Sequence, residues 1–139
     1  MTGKKRVLFL CTGNAARSQI AEALARLDHS DVLDAVSAGS RPALGVHSLA
    51  VTVMAELGSD IAGARSKDAR EFLDEELDAV ITVCDSAAQD CPVWLSAKRI
   101  EHWSIEDPSF EPDPVRRYER FVETRDDLRK RIDALVESL

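Results

Sequence analysis

The chain has 139 residues, 45% of them hydrophobic and 31% charged, which suits one globular domain over residues 1–139 and excludes a disordered or fibrous chain. Its 18 basic and 25 acidic side chains leave a net charge of −7, which argues against a general nucleic-acid binder or a protein held on an anionic membrane surface. A small anionic substrate is not excluded, because it feels the local site rather than the net charge.

Met1 to Arg6 is basic, but the apolar run behind it is too short for a signal sequence. No stretch reaches the roughly 20 apolar residues that a membrane span needs, so a cytoplasmic protein is expected. Val7-Leu8-Phe9-Leu10 is continuous rather than alternating and predicts a strand buried on both faces. Cys11 to Arg17 is small and polar, and a helix is expected to open at Ser18, with Ile20, Leu24 and Leu27 at helical spacing. A second strand is predicted over 31–38, closed by Gly39. A second helix follows, marked by Val46, Ala50, Val53, Met54 and Leu57 and stopped at Gly58. A short helical stretch at 69–73, a strand over 77–83 and a weaker strand over 98–104 follow. Asp107-Pro108 ends that strand, since the residue before proline avoids helix. Asp113 and Pro114 then open a long helix carrying Val115, Tyr118, Val122, Leu128, Ile132, Leu135 and Leu139 on one face. Strands alternating with helices imply a parallel sheet covered on both faces.

The chemistry concentrates in Cys11-Thr12-Gly13-Asn14-Ala15-Ala16-Arg17-Ser18, a Cys-x5-Arg-Ser loop between a buried strand and a helix. Five intervening residues can wrap backbone N–H groups around one tetrahedral oxyanion, and the helix adds its positive end. Gly13 is expected to take a backbone conformation closed to other residues, and Asn14 tolerates a left-handed one. Arg17 offers a planar fork for two oxygens. Cys11 sits below the anion, where the same donors are expected to depress its pKa and make it a nucleophile. Ser18 is expected to support the loop by a hydrogen bond, to the Cys11 sulfur or as the helix N-cap.

Two more cysteines, Cys84 and Cys91, follow the third strand. An odd total of three does not make a secreted disulfide scaffold. If the segment between Cys84 and Cys91 is helical, their Cα atoms lie about 10.5 Å apart, whereas a disulfide needs roughly 4.4–6.8 Å. Pairing them therefore requires unwinding, so a redox-dependent rearrangement of this segment is expected. No Cys/His spacing suits zinc, and His29, His47 and His102 form no metal constellation. Trp94 and Trp103 read as packing residues.

Along nearly its whole length the chain resembles the low-molecular-weight protein tyrosine phosphatase superfamily. The resemblance rests on the loop 11–18, on Ser37-Ala38-Gly39-Ser40, on Arg65-Ser66-Lys67, and on Glu101-His102-Trp103 through Asp107-Pro108. Cys84 and Cys91 are similar to the redox segment of the thioredoxin-coupled arsenate reductases within it. The resemblance implies a three-layer α/β/α fold with a four-stranded parallel sheet of order 2-1-3-4. It implies reduction of arsenate to arsenite, with Cys11 attacking an arsenate held by residues 12–18 and Asp107 protonating the leaving oxygen from a crevice where burial can raise its pKa. Cys84 then relays the disulfide to Cys91, and thioredoxin reduces it. Phosphate and sulfate are expected competitors, a monomer is expected, and neither a bound cofactor nor a metal is implied. Hydrolysis of phosphate monoesters through a Cys11 phosphocysteine is the alternative, although Ser109-Phe110 stands where the phosphatase branch often has a tyrosine pair. A non-catalytic oxyanion-binding domain is the reading of another class. Some reductases carry Ser and Cys where this chain has Ala15 and Ala16. Some bind potassium through residues matching Asn14, Glu22 and Ser37 and an acidic residue in the region of Lys67. Here the Lys67 ammonium is expected to pair with Glu22 in place of that ion.

Overall fold

The computed structural model describes residues 3–83 and 97–139. Four strands, β1 (Lys5–Cys11), β2 (Leu33–Gly39), β3 (Ala79–Thr82) and β4 (Ile100–His102), form one parallel sheet in the order β2-β1-β3-β4. Among the described residues three helices accompany them, α1 (Arg17–His29), α2 (Ser48–Ala55) and α3 (Pro114–Ser138), with short 3-10 turns at Ala69–Phe72 and Pro108–Phe110. This is the expected architecture and the expected strand order.

The apolar run that predicts a buried strand becomes the centre of the sheet. Val7, Leu8 and Phe9 are completely buried because β1 has a strand on each side. From Ser18 to Ala25 every residue of α1 is buried, as the helix is pressed between the sheet and α3. The chain leaves β1 toward β2 on one side and returns to β3 on the other. Such a reversal of strand order opens a crevice beyond the carboxyl end of the central strand, and Cys11 is the last residue of that strand.

Several boundaries shift for physical reasons. The helix α1 begins at Arg17 with Ala16 in the cap position and no side-chain cap, so Ser18 lies inside it and is not its N-cap. On α3 the buried stripe is Phe121, Thr124, Leu128, Ile132 and Leu135, whereas Val115 is 67% exposed. Phe121 was absent from the predicted face, and it stacks on the His47 ring at 4.8 Å. Leu27 and Val32 also surface, since they lie where α1 turns over into β2. The left-handed Gly58 (φ +85°) stops α2 as expected, with its N–H on the Ala55 carbonyl.

The glycine that matters for close approach is Gly39 rather than Gly13. Gly13 has no left-handed φ, and a Cβ there would meet only ordinary contacts. A Cβ on Gly39 would lie 2.5 Å from the Thr12 carbonyl oxygen and 2.9 Å from the Asn14 nitrogen. The end of β2 must lack a side chain for the loop after β1 to lie against it. Gly39→Ala is expected to lower stability by about 1–3 kcal/mol and to weaken oxyanion binding, while Gly45→Ala, where a Cβ meets open space, changes neither. Urea unfolding of both variants checks this, and equal midpoints would refute the close-approach argument.

Candidate active site

The loop between β1 and α1 is held from outside, carbonyl by carbonyl. The Cys11, Thr12, Gly13 and Ala15 carbonyls accept from the N–H groups of Ser40 (3.1 Å), Arg41 (2.8 Å), Ala43 (2.8 Å) and His47 (2.8 Å). The Asn14 carbonyl accepts from the Ser66 hydroxyl at 2.9 Å, and the Ala16 carbonyl takes the Ile20 N–H into α1. In a planar trans peptide the N–H points opposite to the carbonyl. Anchoring the carbonyls outward therefore turns the following N–H groups inward, over the Cys11 sulfur. The Asn14 N–H shows the result directly, donating to Cys11 Sγ at 3.2 Å.

Asn14 carries the left-handed turn (φ +50°) and is completely buried. Its side-chain oxygen accepts from the Lys67 N–H at 2.8 Å and from Gln19 Nε2 at 3.0 Å, which fixes the amide orientation. Asn14 Nδ2 then donates to Ser18 Oγ (2.8 Å) and Ser37 Oγ (2.9 Å). Ser37 Oγ in turn donates to Glu22 Oε1 at 2.9 Å. Ser18 Oγ lies 2.7 Å from Cys11 Sγ. Since Asn14 donates to that oxygen, the hydroxyl proton is available to the sulfur, the direction that steadies a thiolate.

The depressed Cys11 pKa expected from the motif is corrected by this geometry. Burial pushes the thiol up from its ordinary value, outweighing the Ser18 hydrogen bonds, the Arg17 charge and the Asn14 N–H, which pull it down. The sulfur lies at the floor of the cradle with the residue only 2% exposed, so the thiolate loses solvation that the surrounding donors only partly replace.

Arg17 and Asp107 meet across the mouth. Arg17 Nη1 donates to the Ile105 carbonyl at 2.8 Å, and Arg17 Nη2 lies 3.5 Å from Asp107 Oδ2. Asp107 serves as both turn residue and crevice carboxylate. Its Oδ1 accepts from the N–H and hydroxyl of Ser109, leaving Oδ2 on the pocket side. The pocket of about 470 Å³ brings together Cys11, Thr12, Gly13, Ala15, Ala16, Arg17 and Asp107, with His47, Glu106 and Phe110 at its walls. The structure thus assembles Cys11, Thr12, Gly13, Ala15, Ala16 and Arg17 with Asp107, whereas Asn14 and Ser18, predicted to bind the anion as well, are completely buried behind the pocket and support the loop from there. Cys84 and Cys91, and the rearrangement expected between them, lie outside the described residues, as does Trp94. Trp103 packs against Phe9 at 6.1 Å, as a packing residue should.

Sequence reasoning missed Gln19 and His47, and it did not foresee the hydrogen bonds that join Ser37 to Asn14 and Glu22. The adjacency of Gln19 to Arg17-Ser18 offered the one local signal, since a side chain there can fold back over the loop. Lys67 Nζ lies 3.6 Å from Glu22 Oε1, so the expected ammonium–carboxylate pair is present. Among the described residues, Asp28, His29 and Asp133 are close enough to share an ion. Arg129 already occupies both Asp28 oxygens at 2.7 Å each, so this group reads as an ion-pair network.

The family model for low molecular weight phosphotyrosine protein phosphatase matches residues 6–139. An arsenate reductase of Halalkalibacterium halodurans is 38% identical over 136 residues, covering 97% of each chain. A solved arsenate reductase in a phosphate-binding state superposes with a TM-score of 0.83 at 30% identity, covering 96% of this chain and 98% of the other. A low molecular weight protein tyrosine phosphatase from T. tengcongensis superposes at 0.79 and 30% identity, covering 98% of this chain and all of the other.

Two outcomes follow from the site. Ser18→Ala removes a group that pulls the Cys11 thiol down, so the thiol is expected to rise further and the alkali-side rise of thiolate reactivity to move to higher pH. Iodoacetamide alkylation of Cys11 across pH measures this, and an unmoved or acid-shifted profile would contradict it. Because Lys67 already neutralises Glu22, exchanging sodium for potassium at fixed ionic strength is expected to leave turnover unchanged, and a severalfold rise with potassium would refute that.

Proposed function

The chain belongs to the low molecular weight phosphotyrosine protein phosphatase family, and from that membership we propose that it reduces arsenate to arsenite, in arsenic detoxification. The observation that carries the chemistry is the outward anchoring of the loop carbonyls, which leaves a ring of N–H donors and the Arg17 fork above one sulfur. The arsenate reductases among its relatives, one of them 38% identical with 97% of each chain covered, favour arsenate as the substrate.

The Cys11 thiolate attacks arsenic. An S–As bond forms, an As–O bond breaks, and Asp107 gives its proton to the departing hydroxide so that water leaves. Arg17 and the loop N–H groups hold the remaining oxygens. Cys84 as thiolate then attacks Cys11 Sγ. An S–S bond forms, the S–As electron pair passes to arsenic, and As(V) leaves as As(III) while the two sulfurs are oxidised. Cys91 attacks Cys84, freeing Cys11, and a thioredoxin dithiol reduces the Cys84–Cys91 disulfide by exchange. Every step after the first rests on the sequence positions of Cys84 and Cys91 and on the resemblance. Phosphate and sulfate compete for the same cradle. The reading includes a cytoplasmic monomer with no bound cofactor or metal. Among the described residues no helix is long and apolar enough to cross a membrane.

A weak phosphatase activity accompanies this reading, because the cradle, Arg17 and Asp107 treat phosphorus and arsenic oxyanions alike, and a tyrosine phosphatase shares the fold. Arsenate-dependent NADPH oxidation with thioredoxin and its reductase is expected to require all three cysteines. Cys11→Ser abolishes both arsenate turnover and aryl phosphate hydrolysis. Cys84→Ser and Cys91→Ser stop the first and spare the second, and Arg17→Lys lowers kcat/KM by about 10² through loss of the planar fork. Arsenate turnover that survives Cys84→Ser would overturn the relay. Activity with a glutathione system and none with thioredoxin would overturn the choice of donor.

A further inference from the structure

His47 is a histidine in a place where a smaller residue would serve. It caps α2, with Nδ1 accepting the Leu49 N–H at 3.1 Å. Asn, Asp or Ser are the residues that ordinarily fill this role. The imidazole does more than cap. Its ring rests on Phe121 with centroids 4.8 Å apart at 33°, and its backbone N–H holds the Ala15 carbonyl at 2.8 Å. The ring is therefore tied to the oxyanion loop through one end of its own residue and to α3 through its face. It also lines the same pocket as Cys11, Ala15, Ala16 and Arg17.

The cap fixes the tautomer. A ring nitrogen that accepts a backbone N–H carries no proton, so the neutral imidazole bears its hydrogen on Nε2. Among the described residues Nε2 has no hydrogen-bond partner. Meanwhile Arg17 is partly engaged, with Nη1 on the Ile105 carbonyl and Nη2 beside Asp107. The mouth also carries the Glu106 and Asp107 carboxylates, so an anion entering it gains from an additional neutral donor at the wall.

We propose that His47 is a substrate-binding residue, donating its Nε2–H to an outer oxygen of the tetrahedral oxyanion seated over Cys11. It thereby supplements Arg17 on the α2 side of the pocket. This rests on the oxyanion reading of the cradle and adds a contact to it. The loop N–H groups hold the oxygens nearest the sulfur, and His47 meets one that faces the mouth. Binding in the ground state and in the transition state then strengthen together, so loss of the contact appears in KM before kcat.

The test separates the cap from the donor. His47→Asn keeps an acceptor for the Leu49 N–H and withdraws the donor from the reach of Nε2. His47→Gln restores that reach. Inorganic phosphate is the probe, titrated into the reduced protein by calorimetry, with thermal unfolding of each variant alongside. Both variants lose the ring on Phe121 and share the fall in melting temperature that this brings. His47→Asn is expected to weaken phosphate binding roughly tenfold and to raise the arsenate KM by a similar factor with kcat retained. His47→Gln regains most of both. In the wild type, saturating phosphate is expected to shift the His47 Nε2 resonance in long-range 15N spectra. Wild-type affinity in His47→Asn, an unmoved Nε2 resonance, or losses that track the melting temperature in both variants would overturn the proposal and leave the cradle intact. Failure of the wild type to bind phosphate at all would overturn the cradle reading together with it.

Discussion

The amide of Asn14 is the hinge on which the rest of the site depends. It is a buried, left-handed, non-glycine residue. The conformation alone costs on the order of 1–2 kcal/mol, and leaving a buried amide unpaired would cost roughly 1–3 kcal/mol more. Both penalties are offset because the side chain is fully engaged. Its oxygen takes the Lys67 N–H and Gln19, and its nitrogen serves Ser18 and Ser37. The amide has only one orientation that satisfies a backbone N–H, so the polarity of the whole chain of hydrogen bonds is set. It runs from Asn14 through Ser18 to the sulfur on one side and through Ser37 to Glu22 on the other.

That polarity explains how an acidic protein can hold a thiol ready for an anion. The Cys11 sulfur is buried enough that its proton is held more tightly than in water. Among the described residues, the groups hydrogen-bonded to it, the Ser18 hydroxyl and the Asn14 N–H, are nonetheless donors. The site is not a pool of positive charge, since Arg17 already faces Asp107. It is a set of dipoles, fixed before substrate arrives, that favour negative charge at one point. The net charge of −7 and a binding site for an oxyanion coexist because the field that matters extends over a few ångströms.

The outer layer completes the arrangement. Residues 40–47 form no helix or strand, yet they bind four of the loop carbonyls. Gly39 lets β2 come close enough for this to happen. The segment that reads as a plain Pro/Gly loop therefore acts as the mould in which the oxyanion cradle is cast.

Much of this protein was legible in its sequence. The continuous run Val7 to Leu10 marked the central strand, because a strand covered on both faces needs no polar side. Cys11, Arg17 and Ser18 announced the cradle, because strand, short loop and helix in succession leave few ways to arrange seven residues around an anion. The Lys67–Glu22 pair follows from the resemblance, which sets an ammonium where some relatives hold potassium, and the structure contains it. Other features had to wait for tertiary structure. Whether Cys11 is pulled toward or away from thiolate depends on burial, which no local motif encodes. That Gly39 and not Gly13 is the irreplaceable glycine depends on how closely two strand ends approach. Gln19 and His47 reach the loop only because α1 and α2 are set at its two sides, and on α3 Phe121 is buried against the His47 ring while Val115, in the first turn, stays exposed. Local spacing determines which chemistry the residues can perform. Packing decides their solvation and the contacts they make across long separations in the chain.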